Sequence, residues 1–227
     1  MHIQREHEAA DEFRNDFHQL VQKTKIVIMR GDYVAVFGWI QYVLRKASPG
    51  NLTEEIQAAL EAGKAAYRLV DGDTIVPLGS EAEGDTIERA FVDLGAAEFG
   101  GARQHLRKAA EALSVGDNSG SIRESIHAVE AVVRVLEPDG NFAKALAKLD
   151  AKVKIHAGMR AGFNNLYGFT SDENGLRHSL LELPAANVDE TDALFMIGAC
   201  AAFVSYLINK ARSSNSAQVV PHREICP

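Results

Sequence analysis

Apolar residues recur at three- and four-residue spacing along most of the chain, which predicts a protein built chiefly from amphipathic helices. The first helix is expected over about Glu8–Met29, with Phe13, Phe17, Leu20, Val21 and Thr24 on one face and Gly31 as its stop. A second follows over about Tyr33–Lys46, with Val34, Phe37, Ile40 and Leu44 inward, before the break at Ser48-Pro49-Gly50. Asn51 followed by Glu54 reads as a capping box that opens a third helix to about Ala66, with Ile56, Ala59, Leu60 and Gly63 as its inner stripe.

The period then changes from helix to strand. Tyr67–Val70 and Asp73–Val76 are short β-prone runs on either side of Asp71-Gly72, and Pro77 closes the second run. An Asp-Gly pair in that position signals a hairpin, because both turn residues must take positive φ. Gly79 to Gly84 reads as an acidic, flexible boundary. The expected organisation is therefore an all-α protein of two helical units, residues 1–80 and 81–212, with a small β-hairpin near 67–76 and a disordered tail over 213–227. In the second unit, helical pattern runs from about Asp85 to Leu113, broken or bent near Gly95 to Gly101. Ser121 with Glu124 suggests a capping box for a helix to Leu136. Asn141 opens the next helix, a further one covers about Val153–Leu166, and Tyr167 to Gly175 reads as turn-rich. Asp189 caps a last helix whose segment Ala193 to Asn209 carries no charge.

Composition narrows the class. Of 227 residues, 46% are hydrophobic and 24% charged, so wholesale disorder is excluded. A formal charge of −7 argues against non-specific coating of nucleic acid, which needs many cationic phosphate contacts. Two cysteines, Cys200 and Cys226, do not make a disulfide framework and read as free thiols of a reducing compartment. The polar start lacks the apolar core of a secretory signal, which points to a cytoplasmic protein. The uncharged stretch from Ala193 to Asn209 would rise about 26 Å as a helix, the lower limit for a membrane span. Its Ala, Gly and Ser content favours a buried core or interface helix, and no membrane contact is expected.

Phosphate-binding glycine loops, dinucleotide fingerprints, HExxH and paired CxxC are absent, and no pair among the eight scattered His sits in a recognised ligand spacing with a carboxylate. No metal or cofactor is expected. Three stretches carry candidate chemistry. Arg123, His127, Glu130 and Arg134 share one face of a predicted helix. They could hold a phosphate and move a proton, or form a solvated stripe of ion pairs. Arg177 and His178 follow a Gly-ended polar loop, where a phosphate clamp and a titrating group would serve a site, or Arg177 would tie down Asp172 and Glu173. Lys144, Lys148, Lys152, Lys154 and Arg160 stand against Asp150 alone, and this basic stretch either guides RNA or is a solvated face.

The segments GSIRESIHAVEAVVRVLEP, LYGFTSDENGLRHSLLE and VDETDALFMIGACAAFVSYLI resemble the C-terminal domains of bacterial abortive-infection proteins of the HEPN-like helical superfamily. The resemblance covers roughly residues 85 to 212, and the first 80 look similar to an N-terminal module of some such proteins. It implies a helical bundle that is frequently a homodimer, and many members are metal-independent ribonucleases in phage defence or toxin–antitoxin systems. The family signature pairs an Arg with a His four to six residues on. Arg177 matches the Arg, but Leu181, Glu182 and Leu183 stand where the His is sought. His178 or His127 would have to replace it. The expectation is thus a non-catalytic, dimerising interaction or sensing module with a protein partner such as an antitoxin or defence component. The alternative is a metal-independent RNA endonuclease using Arg177 with His178 or His127, with Arg123, Glu130, Lys152, Lys154 and Arg160 toward RNA.

Overall fold

A computed structural model describes residues 17–47, 50–172 and 187–218. The described residues form an all-α protein with one two-stranded hairpin. The chain divides into two compact units, Met1–Ile75 and Val76–Pro227.

The first unit contains α1 (Phe17–Arg30), α2 (Tyr33–Ala47), α3 (Leu52–Ala62) and the strand β1 (Tyr67–Val70), and the strand β2 (Thr74–Pro77) begins within it. Asp32 starts α2, its Oδ1 accepting from the Ala35 amide at 2.8 Å. Leu44, Leu69 and Ile75 form the buried centre, flanked by Phe37, Ile40, Leu52, Ile56, Leu60 and Tyr67. Two expected inner positions of α3, Ala59 and Gly63, are exposed. The stripe runs instead through Leu52, Ile56 and Leu60, a stricter four-residue spacing that keeps to one side of a short helix. The Asn51 capping box does not form either. Asn51 makes no side-chain cap bond, and its Nδ2 donates to Glu55 Oε1 at 2.6 Å. The helix stops at Ala62 rather than Ala66.

The hairpin forms as its turn residues require. Asp71 and Gly72 have φ of 55° and 77°, and the Asp73 amide closes the turn onto the Val70 carbonyl at 3.3 Å. A lone two-stranded ribbon is marginal in water and leaves edge N–H groups without partners. Two glutamines answer this. Gln41 of α2 accepts from the Ile75 amide at 3.0 Å, and Gln57 of α3 accepts from the Leu69 amide at 3.3 Å. The helices thus supply both hydrophobic cover and the acceptors for the ribbon's outer edges.

The second unit contains α4 (Glu81–Asp93), a single 3-10 turn (Ala97–Phe99), α5 (Gly100–Ser114), α6 (Asn118–Leu136), α7 (Phe142–Val153), α8 (Ala157–Asp172) and α9 (Glu190–Gln218). The Gly79 to Gly84 stretch is largely helical rather than flexible, and the two units divide a few residues before it, between Ile75 and Val76. Ser80 caps α4 in a complete capping box with Glu83, so the helix begins at Glu81. A second box closes the start of α9, where Asp189 Oδ1 accepts from the Asp192 amide and Asp192 Oδ2 from the Asp189 amide. The Ser121 box is corrected: α6 starts earlier, with the Asp117 carboxylate accepting from the Gly120 amide, and Ser121 lies buried inside the helix. α8 continues through Tyr167–Asp172, where turns were expected, and α9 continues to Gln218 into the expected tail.

α9 is the central helix of this unit. Met196, Ile197, Cys200, Phe203, Val204, Leu207 and Ile208 are all buried, and α6 faces it with Ile122, Ile126, Val129 and Val133. The Phe203 ring stacks on Phe163 of α8 at 3.4 Å between centroids. Its apolar stretch is long and hydropathic enough to cross a membrane, with a mean hydropathy of 1.7, but more than half of that window is buried within the unit. One polar tie joins α9 to the end of α4: Asp93 accepts from Asn209 at 2.9 Å and from Arg212 at 3.0 Å.

Candidate functional site

The expected face of α6 forms. Arg123, His127 and Glu130 are half-buried and Arg134 is exposed, while Ile126, Val129 and Val133 point the other way into the core. A helical repeat of 3.6 puts residues at i, i+4, i+7 and i+11 on one side, and the buried stripe holds that side outward. Beside it stands α5, joined to α6 by the short Val115–Asp117 turn, so the two helices run as an antiparallel pair.

This pairing brings in two residues that sequence reasoning did not select, His105 of α5 and Glu124 of α6. His105 Nδ1 and Glu124 Oε2 are 2.7 Å apart, so the imidazole N–H donates to the carboxylate. The His127 ring stands against the His105 ring, with centroids 5.3 Å apart and planes inclined at 69°. One ligand atom from each of His105, Glu124 and His127 falls within a span of 4.8 Å. The fold assembles this group from two helices, so the expectation drawn from His spacing along the sequence did not show it. Glu124 and His127 are at i and i+3 on one helix, and that spacing was legible in the sequence. His105 was not, because it joins only when α5 folds back on α6.

The basic stretch is largely paired within the chain. Lys152 donates to Glu137 Oε2, and Lys148 lies 3.6 Å from the other carboxylate oxygen and 3.9 Å from Asp139. Arg160 donates to Asp150. Lys154 is exposed and left-handed, with φ of 54°, and its amide ends α7 on the Asp150 carbonyl. Counting charge over 144–160 alone misses Glu137 and Asp139, which the fold turns toward the lysines. Glu137 is buried, and its carboxyl is held below the ordinary value. The hydrogen bond from Lys152 is the main cause; burial opposes it, and the Lys152 and Lys148 charges add to it. A small cleft beside this cluster is lined by Glu130, Arg134, Glu137, Gly140 and Phe142. Glu130 thus lies between the imidazole cluster and the lysine–glutamate cluster.

The remaining candidates contribute no geometry. Arg177 and His178 lie outside the described residues, as does Cys226. Cys200 is fully buried in α9, and burial pushes its thiol up to about 12, so it stays protonated and unreactive near neutrality.

The chain matches no family model, no curated protein and no solved structure in the comparisons made.

Proposed function

We propose that this chain is a non-catalytic helical module of the abortive-infection or toxin–antitoxin kind, which works by pairing with a second copy and engaging a protein partner. The observation that carries this reading is the outer face of α9. Phe195 is 59% exposed, and Ala199, Ala202 and Tyr206 continue from it at spacings of four, three and four residues. Such spacing draws one stripe along a helix, with aromatic residues at both ends and alanines between. Small residues at the centre let a second backbone approach closely, and the aromatic ends supply buried area. The pairing of Lys152 with Glu137 and of Arg160 with Asp150 supports binding over RNA tracking, since a paired cation gains less by meeting a phosphate. The resemblance of residues 85 to 212 to HEPN-like domains supports the defence setting, and two cysteines that make no disulfide framework support a cytoplasmic location. Light scattering on the purified chain tests the reading, with a dimer expected and Phe195→Asp expected to split it.

A second reading is favoured by one arrangement, the two imidazoles and carboxylate of His105, His127 and Glu124. An imidazole oriented by a carboxylate can serve as general base, and a neighbouring imidazole as acid, in metal-independent attack of a ribose 2′-hydroxyl on the adjacent phosphate. In this reading His127 transfers the proton and Arg177 stabilises the phosphorane, with His178 the other candidate imidazole and Arg123 and Glu130 beside His127 on α6. Cleavage of RNA in the presence of EDTA that disappears in both Arg177→Ala and His127→Ala would replace the first reading with this one.

A further inference from the structure

We infer that His105, Glu124 and His127 form a binding site for a divalent first-row transition metal of the zinc type. This goes beyond the binding-module reading and does not depend on it. Two imidazoles and one carboxylate suit Zn²⁺ and its neighbours, whereas Ca²⁺ and Mg²⁺ take oxygen ligands almost alone. Three protein ligands from the set His, His and Glu leave a fourth position open for water or an incoming group.

Zinc bonds to nitrogen and carboxylate oxygen are about 2.0–2.2 Å, so tetrahedral ligand atoms lie about 3.3–3.5 Å from one another. Here the three atoms already lie within 4.8 Å of each other. Closing the widest separation needs about 1.5 Å of movement or less, within the reach of small χ rotations. The His105 Nδ1 to Glu124 Oε2 distance, 2.7 Å, has to widen slightly as a metal ion replaces the proton that now lies between them. All three side chains are half-buried, so an ion can enter from solvent and still lose much of its hydration.

Both imidazoles are anchored next to a fully buried core residue: Leu106 follows His105, and Ile126 precedes His127. Glu124 and His127 are one helical turn apart, so their relative placement is fixed by α6 itself. Sites whose ligands come from packed helices are better preorganised than sites on loops. The site joins α5 to α6 in the same unit, and a bound ion would cross-link them.

The test uses the untagged full chain stripped with chelator and then titrated with Co²⁺, followed by displacement with Zn²⁺. The expected result is one Co²⁺ per chain with visible absorption of a four- or five-coordinate centre, bleached by one equivalent of Zn²⁺. His105→Ala, His127→Ala and Glu124→Gln should each weaken binding by about tenfold or more, since each removes a direct ligand. His156→Ala, an exposed imidazole elsewhere in the chain, should leave it unchanged. Helical content measured by circular dichroism separates a lost ligand from a lost fold, and Glu124→Gln, nearly isosteric, guards against the second. Absence of stoichiometric binding in the natural chain overturns the inference, as does equal binding by the folded Glu124→Gln and His127→Ala variants.

Discussion

Replacing Asp93 by Ala should destabilise the second unit by about 1.5–2.5 kcal/mol. Asp93 is the last residue of α4 and is 8% exposed. A carboxylate at a helix C-terminus faces the negative end of the dipole, which costs about 0.3–1 kcal/mol. Its partners compensate: Asn209 Nδ2 donates to Oδ2 at 2.9 Å, and Arg212 Nη1 to Oδ1 at 3.0 Å. Arg212 also reaches the Asp93 main-chain oxygen at 3.1 Å, a bond the substitution leaves in place. Hydrogen bonds to charged groups contribute about 1.5–3 kcal/mol when buried. The Arg212 bond is discounted because its side chain is 52% exposed and solvent screens the pair. The Asn209 amide keeps its bond to the Ser205 carbonyl, which limits the loss there. Urea denaturation should show an earlier midpoint with an unchanged slope, by roughly 1 M for a slope of about 2 kcal/mol/M. Arg212→Ala should be milder, and the double variant should show a coupling of about 1 kcal/mol. If Asp93→Ala lies within about 0.5 kcal/mol of the natural chain, or the two changes are additive, this tie does not hold α4 to α9.

Two further outcomes follow from local geometry. Gly72→Val should cost the first unit about 1–2 kcal/mol, because φ of 77° is a left-handed conformation that β-branched residues resist. The added side chain meets nothing within 4 Å, so Gly72→Asn should recover most of the loss, and equal stability of Gly72→Val in chemical denaturation would contradict the turn. Glu137 should make stability depend on acid. Its folded carboxyl is held below its ordinary value, so its contribution is complete above the ordinary value and disappears as pH falls through the lower folded value. Lys152→Ala should flatten that part of the acid-unfolding curve, and an unchanged curve would refute the pairing.

The fold was legible where local chemistry had one solution. Asp71-Gly72 could only turn, Asn141 caps α7 as its spacing suggests, and the reciprocal aspartates at 189 and 192 start α9. It was misread where composition competed with capping. Gly79 and Gly84 looked like a linker, yet Ser80 and Glu83 between them form the box that starts α4. Ser121 and Glu124 have the right spacing for a cap, but Asp117 takes that role four residues earlier and frees Glu124 to meet His105. That exchange explains the candidate site. His127 was visible from the helical stripe, whereas His105 lies on another helix and joins through packing alone. The neutralisation of Lys148 and Lys152 by Glu137 has the same origin, a contact across the turn between α6 and α7 that no window on one helix contains.

The proposed pairing of two copies through the outer stripe of α9 is open to one direct measurement. Light scattering coupled to size exclusion, run at tens of micromolar, measures it directly. The expected mass is near twice the 24.7 kDa of one chain for the natural protein, and 24.7 kDa for a folded Phe195→Asp variant. A natural protein that elutes at 24.7 kDa, or a Phe195→Asp variant that remains a dimer, would contradict it.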